Sequence, residues 1–174
     1  ANQQNNDCKD GSDCENFIGA QEQTAVISNS IGGSNGGSYE DVSNSAEVEQ
    51  KAEQANKDCD GSICQNIIDF QAQTAVITNA IGGSNGGSYG DYSAEVEQKA
   101  DQQNKDCKDN SFCQNNLGQT QEVNLNLIGG SKDGSYSAEI EQKAQQENEH
   151  CDNSFCQNNL AQTQTVGAVL GGSS

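Results

Sequence analysis

The stretch AEVEQKAEQAN at Ala46–Asn56 recurs, slightly changed, at Ala94–Asn104 and Ala138–Asn148. Its composition favours a helix, because Ala, Glu, Gln and Lys have high helix propensities. Its order favours a strand, because alternate residues from Ala46 onward are uncharged in all three copies and every charge lies on the opposite face. A helix would bury only a thin apolar stripe. We therefore predict strands, and the alternative is an α+β fold with short helices at 46-56, 94-104 and 138-148.

The three copies belong to a repeat that covers the 174-residue chain. Each repeat contains a segment A of the type just quoted, a pair of Cys residues, a segment B around Gln-x-Gln, and a Gly-rich corner such as IGGSNGGSY at Ile31–Tyr39. Segment B also alternates, and its higher content of β-branched residues favours a strand. We predict a single repeat array over 1-174, with repeats of approximately 1-45, 46-93, 94-137 and 138-174.

Stacking of these repeats would place each residue on its own copy. Gln and Asn can face a core in such a stack, because each side-chain amide bonds to the equivalent amide in the next repeat. The predicted fold is therefore all-β, a β-solenoid-like stack of four Gln/Asn-rich strand–Cys loop–strand repeats, with parallel and antiparallel pairing both open. The predicted stacking core consists of Val48, Gln50, Gln54, Asn56, Gln71, Gln73, Ile77, Val96, Gln98, Gln102, Asn104, Gln119, Gln121, Val123, Ile140, Gln142, Gln146, Asn148, Gln162 and Gln164.

The patterns A-x-V-x-Q-x-A-x-Q-x-N and Q-x-Q-x-A-x-I-x-N-x-I-G resemble the curlin-type repeats of functional amyloid fibres. The stretches CENFIGAQEQ, CQNIIDFQAQ, CQNNLGQTQ and CQNNLAQTQ are similar to secreted Gln/Asn-rich repeat proteins of some archaea, in which a Cys pair is followed by Asn and then Q-x-Q. The likeness covers nearly the whole chain, which departs from curlin in its longer repeat and its Cys pairs. The resemblance implies an extracellular fibre or surface-layer component rather than an enzyme.

The eight Cys residues form four pairs, with four or five residues between the partners. Structural zinc knuckles have more regular spacings, and the single His, His150, adds little further ligation. An even number of Cys in a secreted chain favours disulfides, so we expect no metal and no other cofactor. Bonds between adjacent repeats or subunits remain open, as does zinc. The favoured bonds are Cys8–Cys14, Cys59–Cys64, Cys107–Cys113 and Cys151–Cys156.

The charge of the chain argues against several classes of function. The formal net charge is -18 and the sequence contains no Arg, so it lacks the basic face that nucleic-acid binding requires. No stretch approaches the roughly 18 apolar residues that a transmembrane helix needs. No Ser/His/Asp set and no phosphate-binding loop is present. We expect a protein that is not an enzyme, does not bind nucleic acid and does not insert into a membrane.

We expect the structural subunit of an extracellular filament, assembled head to tail by β-strand stacking, with Gln/Asn ladders and disulfide-locked loops. The first residues match the later part of a segment A and the last match a Gly-rich corner, so one copy would continue the next. The chain starts at Ala1, which suggests a secreted product whose leader has been removed. Its partners would be its own copies and other cell-surface or biofilm-matrix components. The alternatives are a monomeric β-solenoid, used as an adhesin or as the stalk module of a surface protein, and a helical secreted protein.

Overall fold

β-Strands make up the regular structure of the computed structural model, which describes residues 1–32, 44–82, 91–128 and 135–171. These ranges contain no helix, and therefore none long and apolar enough to cross a membrane. Most of each predicted Gly-rich corner lies outside the described residues. The strands are β1 Asn2–Asn5, β2 Asp13–Ile18, β3 Gln21–Gly32, β4 Asn44–Asn56, β5 Ile63–Gly82, β6 Asp91–Asn104, β7 Phe112–Ile128, β8 Ser135–Asn148 and β9 Phe155–Gly171.

The strands form two parallel sheets, which confirms the predicted all-β class. The first sheet has the order β1-β4-β6-β8, and the second has the order β2-β5-β7-β9, with β3 also paired to β5. Equivalent residues of successive repeats pair directly, as Ala46 does with Ala94 and Ala94 with Ala138. The pairing direction that the sequence left open is therefore parallel and in register.

We call the strands of one repeat a rung. Rung 1 contains β1, β2 and β3, rung 2 contains β4 and β5, rung 3 contains β6 and β7, and rung 4 contains β8 and β9. Within each rung, segment A lies in the first sheet and segment B in the second, and the Cys pair lies at the turn between them. The repeat boundaries predicted from the sequence fall two to three residues after the starts of β4, β6 and β8.

The helical alternative for segment A is wrong, because β4, β6 and β8 span it as strands. In β6 the inward residues Val96, Gln98, Ala100 and Gln102 are all buried, while the charged residues between them face outward. A helix would spread these side chains around its circumference. Burial of one complete face, with pairing to neighbouring copies, outweighs the intrinsic helix preference of Ala, Gln and Glu.

The space between the sheets is filled in layers. An apolar layer around Ile77, Val96 and Val123 lies far from the Cys turn, and a second around Ile68, Ala100 and Leu117 lies nearer to it. Buried glutamines separate the two apolar layers, and asparagines and then the disulfides follow toward the turn. The sheets are therefore held by alternating apolar and amide contacts rather than by one continuous apolar core.

Candidate assembly interface

Glutamine side chains form columns that run through the rungs. Gln54 Nε2 donates to Gln3 Oε1 at 3.0 Å, Gln102 Nε2 to Gln54 Oε1 at 2.9 Å, and Gln146 Nε2 to Gln102 Oε1 at 2.8 Å. The four inward-facing glutamine columns all have this direction, with donation toward rung 1 and acceptance from the side of rung 4. The remaining columns are Gln50–Gln98–Gln142, Gln21–Gln71–Gln119–Gln162 and Gln23–Gln73–Gln121–Gln164.

The second N–H of several glutamines joins the two sheets. Gln102 Nε2 also donates to the main-chain oxygens of Asn66 at 3.2 Å and Asn116 at 2.8 Å, both in the second sheet. In return, Gln121 Nε2 of the second sheet donates to the Val96 oxygen of the first at 3.2 Å. A buried amide has two N–H donors, and this arrangement satisfies both.

Two asparagine columns lie next to the Cys turn and have the opposite direction. Asn56 Nδ2 donates to Asn104 Oδ1 at 2.9 Å, and Asn104 Nδ2 to Asn148 Oδ1 at 2.9 Å, so these amides donate toward rung 4. The second column, in the facing sheet, consists of Asn16, Asn66, Asn115 and Asn158. Cross-links such as Asn56 Nδ2 to Asn66 Oδ1 at 3.1 Å join the two columns.

The structure places all twenty residues of the predicted stacking core on the inner faces of the two sheets. Their burial depends on the rung: those of rungs 2 and 3 are buried, whereas those of rung 4 are half-buried or exposed. The rung 4 members are Ile140, Gln142, Gln146, Asn148, Gln162 and Gln164. Position along the stack therefore decides exposure for side chains of the same type.

All eight cysteines are in disulfides, each within one pair: Cys8–Cys14, Cys59–Cys64, Cys107–Cys113 and Cys151–Cys156. Sulfur atoms of neighbouring rungs approach one another, as the Cys8, Cys59 and Cys64 Sγ atoms lie within 4.8 Å of one another. No thiol is free to bind zinc, which was the alternative from the sequence. The continuous column of sulfur atoms was not predicted from the sequence, because it depends on the pairing of repeats.

A serine lies two residues before the second Cys of each pair, and its role was not predicted from the sequence. Ser62 Oγ donates to the Cys8 oxygen at 2.8 Å, and Ser111 Oγ donates to the Cys59 oxygen at 2.6 Å. Each of these bonds joins the Cys turn of one rung to that of the preceding rung. Recurrence of the pattern Ser-x-Cys in all four repeats is the sequence signal that could have revealed this role.

Charged side chains line the outer face of the first sheet in columns of like charge. Glu47, Glu95 and Glu139 lie in one such column, because their strands pair in register. Lys99 forms an ion pair with Glu97. A hydrogen bond from Lys99 lowers the pKa of the Glu97 carboxyl, and the same bond raises the pKa of the Lys99 ammonium. Such exposed pairs add little stability, but they partly offset the repulsion within the columns.

The last rung presents an uncovered inner edge. Among the described residues, β8 and β9 have a neighbouring strand on one side only. Leu160 of β9 is 49% exposed, although its counterparts Ile68 and Leu117 are 1% and 4% exposed. The same holds for Val166, which is exposed although its counterpart Val123 is buried. These exposed side chains have the same apolar character as their buried counterparts in rungs 2 and 3.

No protein-family model, curated protein or solved structure matches this chain. The likeness to curlin-type and archaeal repeats therefore stays an expectation from the sequence. The fold and its side chains define the class by themselves: an all-β repeat protein of in-register parallel strands, with amide columns inside and disulfides at one turn.

Proposed function

We propose that this chain is the structural subunit of an extracellular filament, built by head-to-tail stacking of its rungs into a continuous β-solenoid-like stack. The observation that carries the proposal is the complementarity of the two ends. The four inward-facing Gln side chains of rung 4, Gln142, Gln146, Gln162 and Gln164, accept no hydrogen bond at Oε1 from any described residue. In rung 1, the Nε2 groups of Gln21 and Gln23 donate none within the same ranges.

A second copy that continues the register would supply donors to Gln146, Gln162 and Gln164 and acceptors to Gln21 and Gln23; Gln142 is aligned with Gln50, which lies outside the pairing of β1. The repeat would place Gln146 beside Gln3 of the next copy, and Gln164 beside Gln23, with acceptor facing donor. The asparagine columns have the reverse direction, and they too would continue, with a donor on Asn148 facing an acceptor on Asn5. The glutamine and asparagine columns donate in opposite directions, and head-to-tail contact would pair donors with acceptors in both kinds of column. Contact between two rung 4 ends would instead bring glutamine acceptors against glutamine acceptors.

Burial of apolar side chains would add to this contact. Leu160 and Val166 are about half exposed, and complete burial of such side chains contributes about 1.5–3 kcal/mol each. Covering the exposed parts would therefore contribute about 1 kcal/mol per side chain. Main-chain hydrogen bonds along the edges of β8 and β9 would accompany it. Long, regular edges of this kind are templates for strand addition.

The chemistry of the surface supports a location outside the cell. Four disulfides indicate an oxidising environment. The net charge of -18 and the outward Glu columns would limit lateral clumping of filaments while leaving the ends free to stack. We therefore propose that the chain is secreted and that its copies assemble head to tail outside the cell. Other surface or matrix components would meet the charged outer faces rather than the ends.

Electron microscopy of the purified, oxidised chain tests this function. We expect unbranched filaments with a strand spacing of about 4.8 Å along the axis. Leu160→Lys should abolish them, because it places a charge in the joint. Thr163→Lys is the matched control, since Thr163 is on the outer face of the same strand and its position continues to Glu22 of the next copy. A wild-type chain that stays monomeric at high concentration would contradict the filament and favour the adhesin or stalk module.

A further inference from the structure

The two sheets differ in the charge of their outer faces. On the first sheet, most outward positions of Ala46–Asn56 and of its two copies carry Glu, Asp or Lys. On the second sheet, the outward positions of 22–28, 72–78, 120–126 and 163–169 carry no charged side chain except those of Glu22 and Glu122. We call the outward residues of these four segments the threonine face, because Thr is the most frequent residue among them.

In-register pairing arranges the threonine face in columns that cross the rungs. Val26 and Val76 lie in the central column, and Thr74 and Thr78 lie on either side of Val76. Val26 is 62% exposed. These side chains are short or β-branched and have few rotamers, so fixing them in an interface costs little conformational entropy. The long Glu and Lys side chains of the first sheet would lose more freedom on being covered.

The part of the second sheet that contains the threonine face has the size of a protein–protein interface. β3 has 12 residues there, which at about 3.3 Å per residue gives a length of about 40 Å. Rungs about 4.8 Å apart give the four-rung sheet a width of about 19 Å. The resulting area of about 750 Å² per copy is close to the roughly 800 Å² per partner that a stable complex buries.

Charge decides which partner fits this face. Two copies that approach each other through their first sheets would bring Glu columns against Glu columns, which repel. Contact through the threonine faces would keep those columns on the outside of the pair. The net charge of -18 therefore opposes other contacts between the sheets of two copies more strongly than it opposes this one.

We propose that the threonine face binds the threonine face of a second copy, with the two stacks side by side and a two-fold axis parallel to them. An axis along the central column sets Val76 against Val76 of the second copy, and Thr74 against Thr78. Paired sheets of small side chains interdigitate closely in this way and exclude water. The contact does not involve the ends of the stack, so it does not require the chain to form filaments.

The same axis gives the charged residue inside the face a suitable neighbour. Glu122 and Asn126 lie two residues before and after Asn124, which is in the central column. The axis therefore sets Glu122 of each copy opposite Asn126 of the other. Glu122 Oε1 already accepts from Asn124 Nδ2 at 2.7 Å. In the pair its carboxylate would gain a second amide donor and would not face another carboxylate.

The test uses the full oxidised chain carrying Leu160→Lys, which prevents head-to-tail stacking, and analytical ultracentrifugation in moderate salt, which screens the acidic charge. We expect a monomer–dimer equilibrium with a dissociation constant in the micromolar range, because the interface has no large aromatic anchor at its centre. Val76→Glu should abolish the dimer, since it sets two carboxylates against each other at the axis. Ala55→Glu is the matched control, because it adds the same charge to the outer face of the first sheet and should leave the dissociation constant unchanged.

A second pair of variants tests the orientation of the two copies. Asn126→Asp should raise the dissociation constant about tenfold or more, because it sets a carboxylate opposite Glu122. Addition of Glu122→Asn to that variant again sets one carboxylate opposite one amide and should restore the dimer. A monomeric chain at millimolar concentration, equal effects of Val76→Glu and Ala55→Glu, or no recovery in the double variant would each overturn the proposal. Single-stack filaments of the wild-type chain, together with a monomeric Leu160→Lys chain, would leave the filament standing and reject only the side-by-side contact.

Discussion

Replacement of a single glutamine inside a column tests whether the amides hold the fold together. Gln102 is buried in rung 3 and takes part in four hydrogen bonds. Its Nε2 donates to Gln54 Oε1 and to the main-chain oxygens of Asn66 and Asn116, and its Oε1 accepts from Gln146 Nε2, all between 2.8 and 3.2 Å. Leu has a similar volume and can form none of these bonds, so Gln102→Leu removes them with little change in packing.

The expected cost follows from the groups left behind. Gln54 Oε1 loses its donor in a site closed to water, and one N–H of Gln146 loses its acceptor near the end of the stack. An orphaned buried polar group costs about 1–3 kcal/mol. Burial of the apolar Leu side chain offsets about 1–2 kcal/mol of this. We therefore expect a net loss of about 2 kcal/mol in the free energy of unfolding.

The matched control is Gln103→Leu, one residue further along on the outer face of the same strand. Gln103 Nε2 donates to the Glu147 and Glu149 carboxylates, where water can replace it. We expect a change of about 0.5 kcal/mol or less. Urea denaturation of the oxidised chain in a Leu160→Lys background, which should stay monomeric in dilute solution, measures both variants by the shift in midpoint at constant slope. Equal midpoints, or a Gln102→Leu chain more stable than wild type, would refute the view that the buried amide columns are required.

Two further predictions concern the charged outer face and Gly118, which lies where the pairing of β5 with β7 shifts register between Ile68 and Gln71. A Cβ on Gly118 would lie 2.8 Å from the main-chain oxygen of Asp69, so Gly118→Ala should destabilise the chain by about 1–3 kcal/mol in the same urea assay. Gly167→Ala should cost less, because the added Cβ would be close only to the movable end of the Asn124 side chain. A larger loss of stability for Gly167→Ala than for Gly118→Ala would contradict this packing argument. The pKa of Glu97 is lowered by Lys99 from its usual value near 4.5, so its contribution to stability is present above that value and lost as the pH falls through the folded-state pKa. Glu97→Gln should therefore flatten the acid limb of the stability–pH curve, and an unchanged acid limb would refute this assignment.

Several features could be predicted from the sequence because they depend on local order. Alternation along Ala46–Asn56 determined which face is inward, and identity between repeats made in-register stacking of Gln on Gln favourable. The short spacing within each Cys pair favoured disulfides between near neighbours, as in Cys59–Cys64. Each of these inferences uses only the order of residues within one repeat, or the similarity of the sequences of two repeats.

Tertiary structure decided the rest. Parallel and antiparallel pairing bury the same alternate residues, so the alternation cannot distinguish them, and only the pairing of β4 with β6 does so. The opposite directions of the glutamine and asparagine columns depend on which facing carbonyl or amide each side chain can reach. Leu117 and Leu160 occupy equivalent positions, yet one is buried and the other half exposed. Burial is a property of neighbours in space, and the identity of a residue determines only that it can be buried.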